Sequence, residues 1–475
     1  MKTSIRLLAL SFLYLVGSIQ ALNAAEVTIE PDRMLKVNGQ RTFVLGLYHY
    51  PETPEVLKEV AGAGFNLIYA TPDQAKLDAL SAHGIYSWLN LGGTIDLSEQ
   101  VEARTTDLTA FVNQWKQHPS LMVWEVPDEA LWNTWYQSNL WRHAQEPHDL
   151  RAAIDALPEG EQRTAADATL KEIRVLQRDG RLVEAEDKAD GLWQFLGQTP
   201  PHADWRESTA AVRARTQADG MVAGYQLLKT LDSHPVWMNH APRNSIPQLG
   251  NHNRAADIVG CDIYPVPQTA QRRHSDLVDQ SVSSVGAYTD RMQAAAPGKP
   301  VFMVLQGTGW GDFGEHSPEE EASKDFRRPT LEETRFMAFD ALVHGARGVL
   351  YWGTQFVETD STFWKELLQV IKELSDLQPV ISAPDVATAP EIVLDETLGS
   401  IDRSVLVLGK DTGNGQWFVL VNEWPGPLTV NLRPAGVPDG TAFRELYSGQ
   451  TVTVQGGALR NTIRGFGVQV YGPAS

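Results

Sequence analysis

Two adjacent acids, Asp128 and Glu129, follow the apolar run at 121–126. Two carboxyls held close cannot both ionise freely, so one is pushed up and keeps a proton at neutral pH. That makes Glu129 the candidate general acid, with Asp128 as the charge that raises it. The same pair also reads as a helix start, with Asp128 capping and Glu129 in the first turn, where acids are common. A third acid, Asp262, shares a strand face with Tyr264, because side chains two apart on a strand point the same way. Asp262 is the candidate base toward water, or a plain hydrogen-bond acceptor. Asp73, Asp312 and Glu315 are further acids and rank behind these.

Other polar and aromatic residues stand where apolar runs end. They are Tyr48, His49 and Tyr50, then Trp88 and Asn90, Asn239 and His240, Tyr264, Gln306 with Trp310 just beyond, and Trp352. This mixture suits a carbohydrate. Sugar faces carry C–H groups that stack on aromatic rings, and sugar edges need fixed donors and acceptors. The chain holds 14 Trp, and each alone reads more readily as core than as a ligand platform. Their gathering at run ends is what points to a ligand. His240, His252 and His274 lie at no recognised metal-ligand spacing, so no metal is expected. Neither a P-loop, a dinucleotide fingerprint nor a G-x-S-x-G elbow is present, so no cofactor and no serine nucleophile are expected.

Such residues need a scaffold. Eight strand-like runs lie at 42–47, 65–69, 86–89, 121–126, 236–239, 258–263, 301–305 and 348–352. Most are continuously apolar, as strands buried on both faces are. Helical patterns separate them; Thr330 to Glu333 has the spacing of a capping box. Strands alternating with helices predict a parallel sheet, and eight units favour an α/β fold of the closed (β/α)₈ TIM-barrel type over residues 42–380. Working residues of such a barrel sit at the C-terminal ends of its strands. Residues 26–41 predict a hairpin turning at Asn38-Gly39, paired with strand one or plugging the barrel floor. Residues 131–205 form a helical insertion after strand four, beside the working face. Residues 390–475 change to short strands and turns, a small all-β sandwich.

The formal charge is −19. That argues against nucleic acid and anionic membranes as partners. Lys2 and Arg6 precede an apolar run at 7–16 and end in small residues, the pattern of a signal peptide over 1–25. The run is too short to span a bilayer. Export to the periplasm or outside the cell is the expectation, with no membrane insertion after cleavage; an uncleaved anchor is the alternative. Cys261 is the only cysteine, so no internal disulfide forms, and its apolar setting marks a packing thiol.

Several stretches resemble a known family. The segment 34–46, the segment His118-Pro-Ser-Leu-Met-Val-Trp-Glu-Val-Pro-Asp-Glu129, and the segments 256–265 and 344–352 resemble the large (β/α)₈ clan of retaining glycoside hydrolases that includes cellulases, mannanases and β-galactosidases. The resemblance spans residues 34–378 and implies that Glu129 carries the acid role. Two departures stand out. The clan's Asn before the acid is Asp128 here, and the run 299–306 ends in Gln306 where the clan has a nucleophilic Glu. An amide cannot be that nucleophile. The pattern resembles a divergent group of bacterial glycosidases with Asp-Glu on strand four and Gln on strand seven. Gln306 is left with a substrate hydrogen bond as its expected role.

The expected function is therefore hydrolysis of O-glycosidic bonds in an oligo- or polysaccharide. Glu129 is the acid, and Asp262, or else Asp128, activates water in an inverting mechanism, with carboxyls roughly 6.5–9.5 Å apart. Asp262 is the better partner, because Asp128 is adjacent in sequence to Glu129 and faces elsewhere. The rival expectation is a carbohydrate-binding protein on a barrel that has lost catalysis. A third is a barrel lyase or transglycosylase.

Overall fold

Along eight parallel strands the side chains alternate between two destinations, as the period of two requires. In this computed structural model, Val44, Leu67, Trp88, Val123, Trp237, Ile258, Phe302 and Leu350 fill the space inside the strands. Leu45, Ile68, Leu89, Trp124, Met238, Val259, Met303 and Val349 pack outward under the helices. The structure describes residues 24–268, 275–312, 326–395, 401 and 403–474. The signal-like segment up to residue 23, His274 and Glu315 lie outside them.

The strands are Val44–Leu47, Leu67–Tyr69, Tyr86–Asn90, Leu121–Glu125, Val236–His240, Ile258–Ile263, Val301–Gln306 and Gly348–Trp352, called one to eight. Each pairs in parallel with the next, and strand eight pairs with strand one, closing the barrel. Two Trp and a Phe crowd the interior, and the backbone makes room at Gly260. A Cβ there would overlap the Phe302 carbonyl oxygen and touch the Trp237 indole nitrogen.

A three-stranded antiparallel sheet, Val27–Ile29, Leu35–Val37 and Gln40–Thr42, precedes strand one. Asn38 and Gly39 both have positive φ, as the two-residue turn between its last two strands demands. Leu35 and Val37 join the inner cluster, so this sheet plugs the barrel floor. Thr42 belongs to it, and strand one starts at Val44.

Between strands four and five the chain forms helices Ala130–Leu140, Glu146–Asp155, Glu161–Arg178, Leu182–Phe195 and Glu207–Leu231. The middle three share a core of their own around Leu150, Ile154, Leu170, Ile173, Leu192 and Trp193. Arg142, buried in this insertion, bonds Glu146 and Asp190, and Trp193 also donates to Glu146. The long last helix lies against the turn after strand three. Leu97 N–H donates to Gly220 O, and Cβ atoms on Gly220 or Gly224 would overlap the backbone at Ser98 and Ile95.

The C-terminal strands form two antiparallel sheets. One orders Val405–Asp411, Gln416–Asn422, Val468–Pro473, Ala442–Glu445 and Thr451–Thr453; the other orders Glu391–Leu394, Leu428–Arg433 and Leu459–Ile463. Phe418, Leu420, Val430, Leu432, Phe443 and Ile463 fill the space between them. The opposite face of the larger sheet, with Val419, Val421 and Val470, joins the barrel's outer core. There Phe466 meets Phe336, on helix Leu331–Val343, edge-on at 5.5 Å.

Candidate active site

The alternation that fills the barrel also decides what crowns it. Continuing the inward positions by two along each strand reaches Tyr48, Tyr69, Asn90, Glu125, Asn239, Asp262, Gln306 and Trp352 at the C-terminal ends. Four carboxyls meet there: Glu125, Asp128, Glu129 and Asp262.

Glu125 is the last residue of strand four, and the sequence reading passed it over. It is 2% exposed. Its Oε2 accepts from Trp88 Nε1 at 3.1 Å and from Asn90 Nδ2 at 2.7 Å. Its Oε1 and the nearby Tyr48 hydroxyl are both buried without a regular hydrogen-bond partner. Burial, and then the charge of Asp128, push the Glu125 carboxyl well above the usual range.

Glu129 lies past the strand's end rather than on it. It is held at φ +49°, and helix Ala130–Leu140 begins at the next residue. A left-handed conformation at a non-glycine residue is strained and persists only where its surroundings hold it. Here the Glu129 N–H donates to Asn239 O at 3.3 Å and its carbonyl takes Asn133 N–H at 2.9 Å. The side chains of 128 and 129 then diverge. Asp128 Oδ1 accepts from Asn239 Nδ2 at 3.0 Å, on strand five, rather than capping the helix. Asp128 is exposed as a residue although its carboxyl is enclosed, while Glu129 is half-buried. Glu129 reaches Asp262 on strand six, and the two carboxyls hydrogen-bond.

Such a bond needs a proton. Asp262 is the donor: burial first, then the charges of Glu129 and Asp128, hold it well above the usual carboxylate range. Glu129 is raised to about 7, mainly by burial and next by Asp128, and the bond from Asp262 draws it partly back. Asp128 has the mildest shift of the four; burial raises it while the bond from Asn239 lowers it. Asp262 therefore holds a proton in its bond to Glu129, and Glu129, raised to about 7, carries a second one in part of the molecules at neutral pH. This corrects the expectation for Asp262. A carboxyl kept neutral cannot take a proton from water, and one in contact with Glu129 is not at an inverting pair's separation.

Aromatic rings surround this group. Tyr48 meets Trp88 at 5.1 Å and Trp237 at 5.7 Å, both edge-on. Tyr264 stacks on Trp352 at 5.4 Å and meets Trp310 at 6.2 Å. Trp237, absent from the sequence candidates, has its indole N–H buried without a partner, as does the Asn239 Oδ1.

Three candidates go elsewhere. His240 follows inward-facing Asn239 and so points outward; its Nε2 bonds Asn253 at 2.8 Å among the helices, and burial lowers its pKa to about 3. Tyr50 lies under the Lys76 ammonium, 5.3 Å from the ring centre, beside helix Gln74–Ala82. Gln306 is 1% exposed. Its amide donates to Val266 O at 2.6 Å and Thr308 O at 2.9 Å, and its carbonyl accepts from Val266 N–H at 2.8 Å. Both N–H donors are committed to backbone, so Gln306 ties the loops after strands six and seven and has none left for a sugar. His49 stays at the mouth; its Nδ1 bonds Thr354 Oγ1 at 2.6 Å, and burial lowers its pKa to about 4. Asp73 caps its own helix, and Asp312 binds Thr308, Gly309 and Arg328.

Neither family models nor curated proteins match this chain in sequence. Solved structures do resemble it. A glycoside hydrolase family 5 protein from Bacteroides vulgatus has a TM-score of 0.52 at 12% identity, covering 94% of this chain and 93% of that one. A β-galactosidase from Bacillus circulans has a TM-score of 0.47 at 11% identity, covering 91% and 99%. The first likeness is one of fold, a barrel with a C-terminal β domain.

Proposed function

We propose that this protein is a glycoside hydrolase acting on O-glycosidic bonds, with Glu129 as general acid. The observation that carries the reading is the bond between Glu129 and Asp262 at the mouth of the barrel. Beside that bond, burial raises Glu129 to about 7 and so keeps a proton available near neutral pH, in a site walled by Tyr48, Trp88, Trp237, Tyr264 and Trp352.

In the proposed reaction the Glu129 carboxyl gives its proton to the glycosidic oxygen as the bond to the anomeric carbon breaks. Asp262, neutral beside it, stabilises the Glu129 carboxylate that results. Asp128, at the rim beside Glu129, acts as the carboxylate that faces the positive charge developing on the sugar ring. It accepts the proton that the attacking water releases. One water is consumed and two hydroxyl ends form, and the proton on Asp128 returns to Glu129 through solvent. Direct attack by water inverts the anomeric centre. Tyr48 O–H and Glu125 Oε1, buried beside each other without a regular hydrogen bond, are the polar pair that a sugar hydroxyl would engage. The amino-terminal pattern supports export, so the substrate is a glycan met outside the cytoplasm.

One observation favours a second reading, a sugar-binding protein without turnover. Strand seven offers Gln306, whose N–H donors are committed to backbone, and no carboxylate. Glu129→Gln decides between them. On a panel of aryl glycosides and polysaccharides, hydrolysis by the wild type should fall at least about 10²-fold in the variant, as loss of a general acid does. Sugar affinity should stay nearly the same. A wild type that binds a glycan and releases no reducing ends leaves only the second reading. Product anomers followed by NMR test the route, and retention would exclude direct attack by water.

A further inference from the structure

A second polar cluster lies far from the barrel mouth, at the seam between barrel and β domain. Helices Ser284–Ala295 and Leu331–Val343 meet there the residue following strand Gln416–Asn422. Asp340 is fully buried. Its Oδ2 accepts from Gly286 N–H at 2.7 Å, while its Oδ1 has no hydrogen-bond partner. His344, one turn further on, sets Nδ1 against Asp290 Oδ1 at 3.0 Å. Its Nε2 lies 3.1 Å from Glu423 Oε1 and 3.9 Å from Asp340 Oδ1. The backbone yields space for this arrangement, since a Cβ on Gly286 would overlap the His344 ring and crowd Asp340 Oδ2.

With Nδ1–H donating to Asp290, Nε2 faces two carboxylate oxygens, and something positive must lie between them. A proton on Nε2 serves Glu423 at 3.1 Å, but Asp340 Oδ1 at 3.9 Å is beyond hydrogen-bond reach. A buried carboxylate oxygen would stay unmatched, at a cost of order 1–3 kcal/mol or more. A divalent ion among the three atoms serves all of them. Tetrahedral sites with bonds of about 2.0–2.2 Å hold their ligand atoms roughly 3.4 Å apart. The three candidate atoms lie within 4.8 Å of one another, so small side-chain shifts complete the geometry. Two carboxylates and a neutral imidazole carry two negative charges, which one divalent ion balances. Asp290 stands where metal-bound histidines keep an orienting carboxylate. The nearby Arg403 is committed to Asp279 and Ser283.

We propose that Asp340 Oδ1, His344 Nε2 and Glu423 Oε1 bind one divalent transition-metal ion of the zinc type and so fasten the β domain to the barrel. Water fills the fourth position, reached past His344 and Glu423, whose side chains are 12% and 11% exposed. A nitrogen with two carboxylates favours zinc over calcium, which takes an all-oxygen shell.

The test uses the full chain stripped with chelator, titrated calorimetrically with ZnCl₂ and with CaCl₂, and melted with and without each. Expected are one zinc per chain, a Tm rise of about 2–4 °C with zinc, and no comparable effect of calcium. Co²⁺ in place of zinc should give the visible bands of a tetrahedral site. Glu423→Gln, a partly exposed position, should weaken zinc at least about tenfold, and Asp290→Asn about 10–100-fold. No stoichiometric zinc on the wild type at about 100 µM, equal binding of calcium, or unchanged affinity in a folded Glu423→Gln would each overturn the proposal. The wild-type titration decides even where a variant fails to fold.

Discussion

Replacing Asp128 by Asn should move the proton on Glu129. The Asn keeps the oxygen that accepts from Asn239 Nδ2, so the change removes charge and little else. Glu129 is raised from 4.5 to about 7, by burial first and by Asp128 second. Adjacent carboxyls ~7 Å apart at an effective dielectric of ~34 repel by about 1.4 kcal/mol, which is one pH unit. The variant should therefore titrate Glu129 near 6, with burial still holding it above an exposed Glu. Carboxyl ¹³C NMR reads this without any substrate, Glu129→Gln identifying the signal. A titration that stays near 7 would refute the role given to Asp128, and one that rises would refute its sign.

Four further outcomes follow. Because the folded state holds the Glu129 proton more tightly than the unfolded chain, the associated stability is complete below pH ~4.5. It is lost as pH rises through ~7, and it amounts to roughly 3 kcal/mol. Chemical denaturation at pH 5 and pH 8 should show Glu129→Gln losing less stability across that interval than the wild type. Gln306→Glu, which restores the clan's residue type, should destabilise by about 2–4 kcal/mol, because a carboxylate would face the carbonyls of Val266 and Thr308. A Tm equal to the wild type's would refute the assignment of that amide to the loops. Gly260→Ala should cost at least about 3 kcal/mol, since its methyl overlaps the Phe302 carbonyl oxygen inside the barrel; unfolding midpoints in urea measure it. Tyr48→Phe should change Tm little, because the hydroxyl makes no regular hydrogen bond and meets only the Glu125 carboxyl, while raising KM or the sugar dissociation constant about tenfold. A lower Tm with unchanged affinity would reverse that reading.

The barrel was readable because its strands are continuous apolar runs; six of the eight moved by two residues or fewer at either end, and the sixth and eighth kept their bounds. Strand six ran as expected over Ile258–Ile263. The pieces not anticipated were short and polar, such as Glu391–Leu394 and Thr451–Thr453, whose residues are half-buried or exposed. Without an apolar core stretch they leave little periodic signal. At the site, proximity to a strand end was too coarse a criterion. Strand parity was available: counting by twos from Trp237 retains Asn239 and rejects His240, and counting from Val123 reaches Glu125. Motif likeness drew attention to 128–129 and away from Glu125. The ties of Gln306 depend on the loops after strands six and seven, which no local pattern specifies. The same holds for the seam cluster, where Asp340 and His344 show helical spacing but Asp290 and Glu423 come from distant segments.

The glycines of helix Glu207–Leu231 bear on how a substrate is admitted. At Gly220 and Gly224 the helix meets the Ile95–Ser98 backbone with no side chain between them. Two backbones at that distance cannot slide or swing apart without losing the contact entirely, so this rim is not a lid. Anything the insertion contributes to selectivity is a fixed shape, present before the glycan arrives. Binding then proceeds without a closing step on that side, and association should be a single exponential whose rate is linear in glycan concentration.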